Sequence, residues 1–210
     1  VEWASMLTDL DVNVTLLEAG PTILPTEDKD IQQEMHKQLT ARGVNIYTNV
    51  EVNEKTLHVN ESASILVGEN KLEAEIVLVA IGREACTTGI GLENTDIVSE
   101  NGFIVVNEFY QTAESHMFAI GDCIGGLQLA HVATAEGLAA VDYILHKKKP
   151  HYDANLVPKC IYSYPQAASI GLTEEKGKEK YGEVDVKKVP FSALGKAHSN
   201  RAMTGFMKMI

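Results

Sequence analysis

The chain of 210 residues carries a formal net charge of −11, with 45% hydrophobic and 22% charged side chains, the balance of an ordinary folded soluble protein with one large domain or two smaller ones. The acidic excess argues against nucleic acid, whose phosphates need clustered Lys and Arg, and no apolar run approaches the roughly 18 residues of a membrane helix. Nothing at the start resembles a signal peptide, and Cys86, Cys123 and Cys160 lie too far apart for a CxxC pair, so a cytosolic protein with reduced thiols and no metal site is expected.

The first ten residues, VEWASMLTDL, place Val1, Trp3, Met6, Leu7 and Leu10 at helical spacing with no cap before them, so the chain reads as beginning inside a helix. VNVTLLE, residues 12–18, is a β-branched strand that ends on an acid. Ile31, Met35 and Leu39 then recur at i, i+4, i+8, with Asp28 or Asp30 as cap and Gly43 as stop, and VNIYT resumes strand character. Strand, helix, strand at this spacing is a βαβ unit with parallel strands. Residues 50–75 alternate in short stretches with a turn at Gly68-Glu69-Asn70, the pattern of an antiparallel insertion.

EIVLVAIG, residues 75–82, reads as an apolar strand covered on both faces, followed by strands FIVV and MFAIG and an alanine-rich helix over 129–146. Lys147-Lys148-Lys149 suits that helix's C-terminus. The segment KKKPHYDANLVP, bracketed by Pro150 and Pro158, marks a domain boundary. Beyond it come strands, a short helix opening at Thr173 with Glu174 and Glu175 in its first turn, and a final strand GFMKMI. The fold class is α/β, doubly wound.

Glu18 is the first candidate for chemistry. A carboxylate at the mouth of the second strand of a doubly wound unit accepts hydrogen bonds from both ribose hydroxyls of NAD, and Ala19-Gly20-Pro21-Thr22 offers no cation for a 2′-phosphate. A solvated acid at a strand end is the other reading. GIGLEN, residues 89–94, lacks the third glycine and a strand–helix setting, so it is no phosphate loop; a glycine just before Val1 would give Glu18 the required spacing. Gly82 and Gly121 end apolar runs, where a missing side chain admits a flat cofactor or simply makes a turn. Asp122 is either an acceptor for sugar-like hydroxyls or a loop cap. His131, at the head of the alanine-rich helix, reads as packed or as an acid/base.

Taken together, VTLLE, VLVAIGRE, MFAIGDC, LQLAHVATAEG and CIYSYPQAASIGLTE resemble the flavin-dependent pyridine nucleotide-disulfide oxidoreductases, most closely those that oxidise dihydrolipoamide. The resemblance spans essentially the whole chain. It implies a doubly wound FAD/NAD-binding domain with an antiparallel insertion, then the start of an α+β dimerisation domain, truncated at both ends, with an NAD-binding domain over 1–82, a second segment of the FAD-binding domain over 83–149 and the interface domain over 150–210. It implies that Glu18 is the NAD ribose ligand, Glu2 the acid after the dinucleotide loop, and Val50 a wall of the adenosine pocket. Gly82 and Arg83 match the Gly-Arg that closes the NAD site, Asp122 beside Gly121 the ligand of the FAD ribityl chain, and Ala130 the residue whose backbone meets the flavin edge. Ala85-Cys86 departs from the usual Pro-Asn-like pair. The first glycine loop, the redox-active cysteine pair and the His-Glu pair are not in this segment, so it carries no catalytic residue and reads as an internal fragment, inactive alone. The implied enzyme is a homodimer that passes electrons from lipoyl groups of 2-oxoacid dehydrogenase complexes through a disulfide and FAD to NAD. A mercuric or glutathione-type reductase, or a non-catalytic nucleotide-binding module, are the competing readings.

Overall fold

The computed structural model describes residues 1–52, 56–59, 62–68, 70–147, 153 and 156–210. Its chain divides into two units, one formed by Val1–Leu78 together with Pro158–Ile210, the other by Val79–Val157.

The first unit is organised by a βαβ element, as the apolar periodicity requires. Helix α1 (Glu2–Asp9) leads to strand β1 (Thr15–Leu17), helix α2 (Lys29–Ala41) and strand β2 (Asn45–Tyr47). The two strands pair in parallel with Leu16 opposite Ile46. Asp28 caps α2, its carboxylate accepting the Asp30 N–H at 3.0 Å, and Gly43 stops it at φ 97°, a left-handed conformation that favours glycine. The apolar face so created closes on itself: Ala4, Ile23, Met35, Leu39 and Val44 form the buried core, with Leu16, Ile46, Ile161 and Ala167 packed around it.

Strands β3 (His58–Val59), β4 (Ala63–Val67) and β5 (Asn70–Ala74) make the expected antiparallel insertion, in the order β3-β4-β5. Of its expected turn, Glu69 lies outside the described residues.

The second unit contains the hairpin β6 (Ser99–Glu100) and β7 (Phe103–Ile104), a 3-10 turn over Gly121–Ile124, and helix α3 (Ala130–His146). Tyr143 of α3 stacks on Phe109 at 4.3 Å between ring centroids and lies tilted against Phe118 at 6.3 Å. Lys147 caps the helix with its N–H on the Tyr143 carbonyl and its ammonium over the Tyr143 ring. Lys148, Lys149 and Pro150 lie outside the described residues.

Returning to the first unit, strands β8 (Lys159–Ile161) and β9 (Ala167–Ser169) form an antiparallel hairpin. Helix α4 (Glu174–Tyr181) follows, with Thr173 accepting the Lys176 N–H as its cap. Strand β10 (Lys187–Pro190), helix α5 (Gly195–Ser199) and strand β11 (Phe206–Met209) complete the chain, β10 and β11 pairing antiparallel.

Three expected strands are corrected. Residues 75–82 form no strand, and Ile76 and Ile81 are 84% and 95% exposed. A strand covered on both faces needs neighbours for its backbone and its side chains, and no described strand pairs with this one. FIVV shortens to two paired residues. MFAIG keeps one bridge, Phe118 to Gln111, flanked by bonds from Ala119 N–H to Tyr110 O and Thr112 N–H to Met117 O, before Gly121 turns the backbone at φ 74°.

Candidate functional site

In the first unit the parallel pair directs Glu18 and Val50 to the same strand mouth. The Glu18 N–H donates to the Tyr47 carbonyl (2.9 Å), the Val50 N–H to the Glu18 carbonyl (3.2 Å), and the Asn49 N–H to the Gly20 carbonyl (2.8 Å), so pairing continues past the last strand residues. Oε1 of Glu18 accepts the Gly20 N–H at 2.7 Å. That bond orients the carboxylate while leaving it further acceptor capacity, since a carboxylate has about four lone-pair sites. The start of α1 lies near it, Val1 packing against the same buried core as Leu16 of β1. Glu2 is engaged elsewhere, with Oε1 accepting the Tyr162 N–H at 2.8 Å.

In the second unit Gly121, Asp122 and Ala130 come together through helix α3. The Gly121 N–H donates to Oε2 of buried Glu136 at 2.7 Å. A Cβ on Gly121 would stand 3.1 Å from Ala133 Cβ, so the turn approaches the helix as closely as a glycine permits. Ala130 occupies the first position of α3, where the Leu129 cap supplies no side-chain bond to the helix N–H groups. Arg83 pairs with Asp122 Oδ2 and donates from Nη1 to the Gln128 carbonyl at 3.1 Å. The Gln128 Nε2 is buried with no hydrogen-bond partner. Gly82, next to Arg83, is exposed and in no strand. His131 follows Ala130 in α3.

The three cysteines are free thiols, Cys86 and Cys160 exposed and Cys123 partly buried with Sγ 3.2 Å from the Ile120 carbonyl. Among the described residues no group of three or more His, Cys, Asp and Glu could hold a metal ion, and no helix is long and apolar enough to cross a membrane.

Sequence reasoning missed the charged cluster in the first unit. Lys208 Nζ of β11 lies 2.7 Å from Asp28, 2.8 Å from Asp30 and 2.8 Å from Glu174, and Lys188 adds a bond to Asp30 at 2.9 Å. It also missed Glu136, the buried acid of the alanine-rich helix. A signal existed in each case: two acids before α2, two at the head of α4, and one acid among small residues. A cavity of about 630 Å³ is lined by residues of α2, β8, β9 and β11, including Met35, Ile161, Ala168, Phe206 and Met207, and none of the cofactor candidates lines it.

An acid-tipped parallel βαβ unit, and a separate Gly-Asp turn tied to a helix through Glu136, define an α/β protein of the dinucleotide-binding class. Residues 1–137 match the family model "Pyridine nucleotide-disulphide oxidoreductase" and residues 157–210 its dimerisation domain. The chain belongs to the pyridine nucleotide-disulphide oxidoreductase family. It is 48% identical over 215 residues to a dihydrolipoyl dehydrogenase of Bacillus subtilis (strain 168), covering 100% of this chain and 45% of that protein. It is 33% identical over 218 residues to a dihydrolipoyl dehydrogenase of Mycobacterium leprae, covering 46% of it. The chain thus spans under half the length of the curated relatives it matches. Among solved structures, the HOCl-induced flavoprotein disulfide reductase RclA of Escherichia coli, in a Cu(II) complex, superposes with TM-score 0.90 at 29% identity over 98% of this chain and 47% of that one. LpdA of Mycobacterium tuberculosis shares the fold, with TM-score 0.87 at 24% identity over 99% of this chain and 45% of that one.

Proposed function

We propose that this chain is the NAD-binding and part of the FAD-binding region of a dihydrolipoyl dehydrogenase. The carrying observation is the 48% identity to such an enzyme along the whole chain. FAD, when bound, relays electrons between a dithiol and NAD. The chain's own residues bind and orient. Glu18 accepts the ribose hydroxyls of NAD, Val50 walls its adenosine, and Glu2 supports the start of α1. Gly82 admits the nucleotide. Asp122, presented by Gly121, accepts a ribityl hydroxyl, and the backbone at Ala130 donates to the electron-rich edge of the ring. The fit rests on the start of α3 at Ala130, the close turn at Gly121 and the unpartnered Gln128 amide.

The dithiol and the acid/base pair lie outside residues 1–210 on this reading, and the domains run 1–82, 83–149 and 150–210. The last of these forms part of a homodimer interface, and a cytosolic enzyme serving lipoyl-bearing components of 2-oxoacid dehydrogenase complexes is the whole. The likeness to RclA favours a second reading, another flavin disulfide reductase. The complete protein, purified, is expected to show flavin absorbance in the visible and to reduce NAD+ with dihydrolipoamide. A yellow protein that instead consumes NADPH to reduce another disulfide or a metal ion supports the second reading, and a colourless one overturns both.

A further inference from the structure

The Arg83–Asp122 pair does little for folding. The side chains are 60% and 42% exposed, and ion pairs at that exposure add little to stability. What the pair supplies is geometry. A guanidinium is a planar fork with fixed donor directions, and this one holds two points at once: Asp122 Oδ2 in the Gly121–Ile124 turn and the Gln128 carbonyl, two residues before α3 begins. Gln128 is itself in the left-handed region, at φ 42°. Glu136 fixes the same turn from inside through the Gly121 N–H. The acceptor Asp122 and the donors of α3 are therefore set relative to one another from two sides.

The geometry points to Arg83 as a positioning residue of the flavin half of the site, aiming Asp122 and the entry to α3, rather than as a closing group of the NAD half. The inference rests on the reading of Asp122 as a flavin ligand. Arg83 engages one oxygen of Asp122, and a carboxylate accepts at both, so a sugar-like hydroxyl can donate to Asp122 with the pair intact.

The test uses the complete flavoprotein with Arg83→Gln, Arg83→Lys, Asp122→Asn and the double variant Arg83→Gln/Asp122→Asn. FAD is titrated into the apoprotein by fluorescence, and the KM for NAD+ is measured in parallel. Arg83→Gln is expected to weaken FAD binding about 10-fold and Asp122→Asn about 10- to 100-fold, as loss of charge-assisted hydrogen bonds implies. The double variant should bind no worse than Asp122→Asn alone, because paired residues act as a unit. Arg83→Lys should recover part of the loss, and the KM for NAD+ should stay within about twofold of the parent. Urea midpoints equal to the parent's would show that the loss is not unfolding. Additive losses, or a raised KM for NAD+ with FAD affinity unchanged in Arg83→Gln, would overturn the inference while leaving the flavin reading standing. Unchanged FAD affinity in Asp122→Asn would remove the flavin reading itself and the inference with it.

Discussion

Lys208 Nζ sits 2.7 Å from Asp28 Oδ1, joining the last strand of the chain to the cap of helix α2 across 180 residues of sequence. Asp30 and Glu174 complete the shell around the ammonium, which is 7% exposed. Burial alone would lower the Lys208 pKa, but the hydrogen bonds from its ammonium to the three carboxylates outweigh it and hold the amine well above its ordinary value. The Glu174 N–H also donates to Asp28 Oδ2 at 3.0 Å, so one aspartate caps α2 and anchors α4.

Lys208→Met is expected to destabilise the first unit by about 3 kcal/mol, because a buried cation removed from its partners leaves carboxylates uncompensated. Urea unfolding measures it. Lys29→Ala, which breaks an ion pair whose side chains are both 69% exposed, should change stability by under ~0.5 kcal/mol. Equal effects from the two substitutions would contradict the cluster's role.

The same cluster makes stability depend on acid pH. Burial pushes the Asp28 carboxyl up, but bonds from Lys208 and from the Glu174 and Asp30 N–H groups bring it below its ordinary value. Asp30 is lowered by Lys208 and Lys188, and Glu174 by Lys178 and Lys208. Depressed folded values mean that the unfolded chain binds more protons in this range, so the contribution is whole above about pH 4 and is lost as pH falls through the folded values. Urea midpoints between pH 2 and pH 6 should fall with acid in the parent and fall less steeply in Lys208→Met. Parallel slopes would show that other groups carry the dependence.

Gly121→Ala should cost more than backbone strain alone. A left-handed φ of 74° costs a side chain about 1–2 kcal/mol, and the new Cβ would stand 3.1 Å from Ala133. Gly43→Ala is the control, with φ 97° and nothing within 4 Å. Unfolding free energies that rank Gly43→Ala as the worse substitution would mean that the turn and α3 have room to part. Glu136→Leu is expected to cost about 1–3 kcal/mol by orphaning the Gly121 N–H, and Glu136→Gln, which keeps an acceptor, much less.

Glu18→Gln retains an acceptor for the Gly20 N–H and removes the charge. NAD+ binding by the complete protein should weaken about 10- to 100-fold, the loss expected for hydrogen bonds to a charged group, while NADP+ binding holds or improves once the carboxylate no longer repels the 2′-phosphate. Isothermal titration with both nucleotides decides it. Unchanged NAD+ affinity would return Glu18 to a solvated strand end.

Local order was legible from the residues themselves. Asp28 and Gly43 bound α2, Thr173 opens α4, and the run from Thr15 to Leu17 pairs in parallel with Asn45–Tyr47 because each depends on caps, turn glycines and apolar period within a short window. The neighbourhood of Glu18 and Val50 follows from that parallel pairing, although only the family resemblance had put Val50 at the site. Tertiary structure alone decided which distant groups meet. Arg83 reaches Asp122 and Gln128, Glu136 the Gly121 N–H, and Lys208 three acids from two helices. It also left residues 75–82 unpaired, although their apolar run reads as a buried strand. Periodicity reports a side chain's preference for burial, but pairing and burial require a second surface, and no short window of sequence contains it.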